Sequence, residues 1–259
     1  MEPPIILRIA ACQLRSGPSP SENLVAARNA VHAAGAAGAT LAVLPEATMA
    51  AFGSDLRALA EPLDGQFAEG LRRIAAEAGV TVVAGMFEPA PDGRVFNTLL
   101  VTGGGVETSY RKIHLYDAFG ARESDVVAPG DAPVTFELGG LVVGLATCFD
   151  LRFPSLFTQL GRAGAQLVCV PASWGEGAGK AEQWDLLVRA RAADAQAWLL
   201  ACDQAWTPPV GTRPLGIGRS ALVDPTGSVR ARLGAEPGVL AHDVDASTVA
   251  SVRERIPIL

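Results

Sequence analysis

Apolar residues recur along this chain in two rhythms. Short, largely apolar runs such as "ILRIAACQL", "TLAVLP", "VTVVAG", "LVVGLAT", "QLVCVP" and "WLLAC" have the length of buried strands. Between them, apolar side chains fall three and four residues apart. The segment "GQFAEGLRRIAAEAG" puts Phe67, Leu71, Ile74 and Ala78 on one helical face and stops at Gly79. An earlier helix opens at "SPSE", where Ser19 can cap, Pro20 takes the first helical position and Glu22 closes a capping box. The same patterning predicts a strand over Ile5 to Leu14, a helix from about Pro154 to Ala163 and a longer one from about Ala181 to Ala197.

Three stretches break the alternation. The strands between Val95 and Lys112 meet across Gly103, Gly104 and Gly105, a second pair flanks Gly139 and Gly140, and a third turns at Asp224 to Gly227. Each reads as an antiparallel hairpin. One more strand and a short helix close the chain. Mixed pairing with many strands predicts two packed sheets covered by helices, with a single doubly wound sheet as the competitor. No linker divides residues 1–259, so one domain is expected. "LAVLPEA" (Leu41 to Ala47) and "LVCVPAS" (Leu167 to Ser173) echo one another, as two similar halves would.

Composition narrows the function classes. At 259 residues and 49% hydrophobic, the chain can bury a large core; its net charge of −6, with no basic stripe, argues against nucleic acid as a partner. Glu2 stands where a targeting peptide needs positive charge and Arg8 interrupts the apolar run behind it. No run approaches the roughly 18 apolar residues of a membrane span. Cys12, Cys169 and Cys202 sit inside strand-like runs as small hydrophobes, which fits a reducing cytoplasm.

Reactive residue types follow three of the predicted strands: Glu46 after "LAVLP", Lys112 after "VETSYR" and Cys148 at the end of "LVVGLAT". In α/β architectures ligands gather outside the carboxyl ends of strands, so these side chains can meet despite their separation. Each also has an ordinary reading, as a loop acid, a surface cation and a core cysteine. Cys148 is favoured by its sequel, "FDLRFP", since a helix beginning near Pro154 and a neighbouring lysine both stabilise a thiolate.

The segments "LPE", "YRKIHLYD" and "CFDLRFP", in this order, resemble the signature segments of the nitrilase superfamily of carbon-nitrogen hydrolases. The resemblance extends from "IAACQL" through "RARAADAQ" to "GRSALVDPTGSV". It implies a four-layer α-β-β-α sandwich, association into a homodimer or larger homo-oligomer through the helical layer, and a Glu46–Lys112–Cys148 triad, with Glu123 of "ARESD" as a second glutamate. On that reading Cys148 attacks a small-molecule amide, Glu46 moves the proton, and Lys112 with the Phe149 N–H holds the oxyanion. Relatives with "DxRFP" after the cysteine include ω-amidases and deaminated-glutathione amidases, so Arg152 would meet a substrate carboxylate; its ordinary alternative is an ion pair with Asp150. Trp174 and His114 would border the pocket. Asp194 stands where many relatives have glutamate. Nitrile or N-carbamoyl hydrolysis, acyl transfer and a catalytically silent binding protein on the same fold are the alternatives.

Other chemistry is disfavoured by spacing. His32, His114 and His242 are scattered and the cysteines form no CxxC pair, so no metal and no cofactor is expected. "WGEGAGKA" departs from a phosphate loop, with Trp174 in place of the first glycine and Ala181 in place of Ser or Thr.

Overall fold

A computed structural model describes residues 5–259, so Glu2 lies outside the described residues. The first half of the chain runs β1 (Ile6–Gln13), α1 (Pro20–Ala36), β2 (Leu41–Val43), the single turn α2 (Leu56–Leu59), α3 (Gln66–Ala78), β3 (Thr81–Pro89), β4 (Val95–Gly103), β5 (Val106–Arg111) and β6 (Val127–Ala128). The second half runs β7 (Thr135–Leu138), β8 (Leu141–Leu145), α4 (Pro154–Arg162), β9 (Leu167–Ala172), α5 (Lys180–Ala195), β10 (Trp198–Asp203), β11 (Ala221–Val223), β12 (Val229–Arg232), β13 (Gly238–Asp245) and α6 (Ala246–Arg255).

Two mixed sheets result. One is ordered β13-β1-β2-β3-β4-β5, with β6 also paired to β4; the other is β12-β11-β10-β9-β8-β7. Strand β13 returns to lie antiparallel to β1, Ile6 opposite Asp245, and so ties the end of the chain to its beginning. All three glycine-turned pairs are antiparallel hairpins.

The layers follow from which way each strand's alternate side chains point. Along β3, Val82, Ala84 and Met86 join Val31 of α1 and Phe67 and Leu71 of α3 in one apolar layer. Val83 turns the other way, into a central layer with Ile9, Leu145, Leu167 and Leu200 from both sheets. A third layer holds Val168, Leu156 and Phe157 of α4, and Trp184 and Val188 of α5. Three apolar layers separated by two sheets make an α-β-β-α sandwich. The doubly wound alternative would have a single sheet.

Local signals explain most boundaries. Ser19 caps α1 by accepting the Glu22 N–H at 3.4 Å, and Pro20 begins the helix. Gly79 ends α3 in the left-handed conformation, at φ +65°. Strand β8 stops at Leu145 rather than running to Cys148, because residues Cys148–Arg152 coil into a 3₁₀ turn. Among the described residues no helix is long and apolar enough to cross a membrane.

Candidate active site

The strand ends after β2, β5, β8 and β9 converge on one cavity of about 450 Å³. Glu46, Lys112, Glu123, Cys148, Phe149, Arg152 and Trp174 all line it. Glu46 is brought there by a close backbone approach. A Cβ at Gly85 of β3 would stand 2.6 Å from the Ala47 nitrogen and 2.9 Å from the Glu46 Cα, so this strand position must be glycine for the "LPE" loop to pack over it. Ala47 itself takes φ +56°.

The carboxylate of Glu46 is almost wholly buried and accepts three hydrogen bonds. Oε1 takes the Lys112 ammonium at 2.9 Å and Asn97 Nδ2 at 2.7 Å, and Oε2 takes the Ser173 N–H at 2.9 Å. Burial raises its pKa above the ordinary carboxylate value; the Lys112 charge opposes the rise and Glu123 adds to it. Lys112, 2% exposed, also donates to both Glu123 oxygens, at 3.1 and 2.9 Å. Burial works against its charge, but Glu123 and Glu46 outweigh that and keep it protonated well above the usual lysine range. Glu123 in turn accepts the Tyr116 N–H at 2.6 Å. One ammonium is thus fixed between two carboxylates.

Cys148 opens the 3₁₀ turn at φ +44°, a left-handed conformation that costs a non-glycine residue on the order of 1–3 kcal/mol and lifts its side chain out of the strand line. Its Sγ lies 3.8 Å from the carbonyl of Ser173, the residue whose N–H reaches Glu46. The "LPEA"/"VPAS" echo therefore ends in direct contact, one half supplying Glu46 and the other Ser173. Burial, then Glu46, push the thiol well above its ordinary range, against the opposing pull of Lys112. The thiolate favoured by the sequence is opposed here: α4 does begin at Pro154, but the 3₁₀ turn lies between it and Cys148, and burial outweighs the pull of Lys112.

The turn is held by Asp150, which is fully buried. Its oxygens accept Tyr110 OH at 2.7 Å, the Thr147 N–H at 2.8 Å and the His114 N–H at 3.2 Å, and lie 2.7 Å from His114 Nδ1. Arg191 of α5, paired with Asp194 at 2.8 Å, braces it from behind through the Leu151 carbonyl at 3.0 Å.

One expectation needs correction, and one ordinary alternative falls away. His114 does not border the cavity: it is tied to Asp150 and stacked on Phe153, ring centroids 3.6 Å apart, and so supports the turn from outside. Arg152 does not pair with Asp150, whose acceptors are already engaged; it reaches Gln183 Oε1 at 2.5 Å and faces the cavity over the Trp174 and Phe149 rings. Trp174 is held by its N–H to buried Asp203, at 2.7 Å, and by its indole N–H to the Lys180 carbonyl, at 3.0 Å.

Sequence reasoning passed over Asn97, Asp203 and Lys180. Asn97 bridges the two glutamates, reaching Glu123 Oε1 at 3.1 Å as well as Glu46. Its signal was a lone amide within the apolar run "VFNTLLV", since a buried amide needs partners. Lys180 lies in the glycine-rich segment set aside as a failed phosphate loop, and it lines the cavity. Thr212, Arg213 and Pro214, from a proline- and glycine-rich stretch, close another side. Among the described residues no cluster of His, Cys, Asp and Glu is arranged to hold a metal ion.

The chain is similar to known proteins over nearly its whole length. The family model for carbon-nitrogen hydrolases matches residues 8–254. A hydrolase of Mycobacterium tuberculosis is 49% identical over 264 residues, 98% of this chain and 94% of that one. A Mus musculus omega-amidase is 32% identical over 260 residues, 97% and 93% of the two chains, and a Mus musculus deaminated glutathione amidase 34% identical over 267 residues, 96% and 81%. Among solved structures, a Saccharomyces cerevisiae member of branch 10 of the nitrilase superfamily superposes with a TM-score of 0.86 at 25% identity, covering 98% of this chain and 95% of that one. A mutant amidase from Nesterenkonia, showing the acetamide moiety of fluoroacetamide covalently added at its active-site cysteine, superposes with a TM-score of 0.80 at 26% identity, covering 96% and 94%.

Proposed function

Because the chain belongs to the carbon-nitrogen hydrolase family, within the nitrilase superfamily, we propose that it hydrolyses a primary amide of a small carboxylate-bearing acid through a thioester on Cys148. The observation that carries this reading is the buried Glu46–Lys112–Glu123 network beside Cys148 in one cavity.

The proposed chemistry follows from the resting protonation states. The thiol is held above its usual range, so a free thiolate is scarce and the proton must leave as attack begins. Glu46, made more basic by its burial, is suited to take it. Sγ bonds to the amide carbon, and the carbonyl becomes an oxyanion facing the Lys112 ammonium and the Phe149 N–H, an amide in the first turn of the 3₁₀ segment with no acceptor inside that turn. Collapse breaks the C–N bond, and Glu46 returns the proton to the departing ammonia. Water then attacks the thioester, giving its proton to Glu46, and the acid leaves as the thiol is restored. Glu123 and Asn97 hold Lys112 and Glu46 in register throughout.

Arg152 supplies the specificity for a carboxylate, as a planar fork facing the cavity with no acidic partner. The relatives named as omega-amidase and deaminated glutathione amidase support an amide substrate. We also assign residues 1–259 to one domain, place the enzyme in the cytoplasm, in keeping with four free buried cysteines, and expect it to associate through the helical layer, where Leu186 of α5 and the terminal Ile256, Ile258 and Leu259 are exposed.

The test is Arg152→Ala, with kcat and KM measured on glutaramate and on neutral pentanamide. Loss of uniform binding raises KM for glutaramate strongly with a smaller change in kcat, and abolishes the preference for the charged amide. An equal fall on both substrates makes Arg152 structural and overturns the carboxylate-amide reading.

A further inference from the structure

The cavity holds more positive charge than its acids neutralise. Lys112 is shared between Glu46 and Glu123, and Arg122 pairs with Asp125 at 3.3 Å. Arg152, Lys180 and Arg213 have no carboxylate partner among the described residues, but Arg213 is exposed to solvent, whereas Arg152 and Lys180 are held over shared aromatic rings. Lys180 is buried to 7% exposure at the start of α5; its ammonium spends one donor on Tyr116 OH, at 3.1 Å, and otherwise faces aromatic rings, 3.6 Å from the Phe119 centroid and 5.8 Å from that of Trp174. The Arg152 guanidinium lies over the same two rings, at 5.8 and 5.3 Å, and its Nε is buried with no partner.

Two cations held over shared rings repel each other, and each has a single neutral acceptor and no anion to offset its lost hydration. Burial first, and the Arg152 charge second, lower the pKa of Lys180. Cation–π contact offsets part of this cost. A single carboxylate seated on the Arg152 fork would still leave the lysine without an anion.

We propose that Lys180 and Arg152 form a two-cation subsite, so that the preferred amide carries two negative charges at the end remote from its scissile bond. This rests on the carboxylate-amide reading and goes beyond it by naming Lys180 as a specificity-determining residue. Arg152 takes one anionic group on its planar fork, and Lys180 takes the second as a point charge from the α5 side. Trp174, braced by Asp203 and by the Lys180 carbonyl, fixes the wall between them.

The test compares kcat/KM for three amides of similar chain length: pentanamide, glutaramate and (2-carbamoylethyl)malonate, which are neutral, singly and doubly charged. The parent is expected to favour the malonate over glutaramate by about 10- to 100-fold, the range of one charge-assisted hydrogen bond. Lys180→Met should collapse that ratio toward one, mainly through KM, and Lys180→Arg should restore most of it. Ratios taken on one preparation cancel any loss of correctly folded enzyme. A parent that prefers glutaramate to pentanamide but treats the malonate no better overturns the two-cation subsite and leaves the Arg152 reading standing. A parent that prefers neither anion overturns both. A Lys180→Met variant that keeps the parent's malonate-to-glutaramate ratio also overturns the subsite.

Discussion

Replacing Lys112 by methionine removes the one cation between two buried carboxylates, and its consequences can be worked from the geometry. The ammonium makes contacts at 2.9 Å to Glu46 and at 2.9 and 3.1 Å to Glu123, whose side chains are 1% and 7% exposed. Breaking a buried pair by removing one partner costs about 3–5 kcal/mol, because the remaining charge is left uncompensated. For a chain of this size about 1 kcal/mol shifts Tm by roughly 2–4 °C, so a fall of about 6–20 °C is expected near neutral pH. The loss must depend on pH. Without Lys112, burial and Glu123 are unopposed in raising the Glu46 pKa. A carboxyl whose folded pKa lies above its unfolded value contributes stability that is present below the unfolded value and lost as pH rises through the folded one. The gap between parent and variant should therefore be small near pH 5 and wide near pH 8. The double variant Glu46→Gln/Lys112→Met, which deletes one of the stranded charges, should recover most of the stability and none of the activity. Thermal melts at both pH values, with kcat from ammonia release, provide the assay. A variant that melts with the parent at pH 8, or that is destabilised more in acid than in base, would refute the account of Lys112 as the shared cation.

The remaining predictions probe separate parts of the site. Iodoacetamide should inactivate the enzyme in step with alkylation of Cys148, read by peptide mapping, while Cys12, pushed up to about 12 by burial, and the equally enclosed Cys169 and Cys202 react far more slowly; inactivation tracking another cysteine would remove Cys148 from its role. Tyr110→Phe strands the Asp150 oxygen that also holds the Thr147 N–H, so it should cost about 1–3 kcal/mol in urea unfolding and lower kcat, and an unchanged midpoint would show that the turn does not depend on this bond. Chelators should leave turnover unaffected. Light scattering at micromolar concentration should report a dimer or larger assembly, and a monomer would contradict association through the helical layer.

Much of this architecture could be read from spacing, and the failures share a cause. Strand and helix periods located α3, the hairpins at Gly103–Gly105 and Gly139–Gly140, and the strand ends carrying Glu46, Lys112 and Cys148, because each is encoded within a dozen neighbouring residues. What escaped depends on distant contact. Asn97 acquires meaning from Glu46, 51 positions away, and Lys180 from Tyr116, 64 away. The same holds for the Cys148 thiol: the chain shows the lysine that favours a thiolate but not the burial that opposes it. His114 left its expected surroundings because Asp150 turns inward to Tyr110 and His114, which leaves Arg152 to Gln183 and the cavity it was expected to face.

The central claim is that Cys148 carries the acyl group between ammonia release and water attack. Enzyme mixed with glutaramate, quenched in acid during turnover and measured by intact-protein and peptide mass spectrometry, tests it directly. The account predicts a mass gain equal to the glutaric acyl group, confined to the peptide containing Cys148, absent from Cys148→Ala and converted to the hydroxamate when hydroxylamine is added before the quench. An adduct mapped to any other residue, or turnover by Cys148→Ala at the parent's rate, would contradict it.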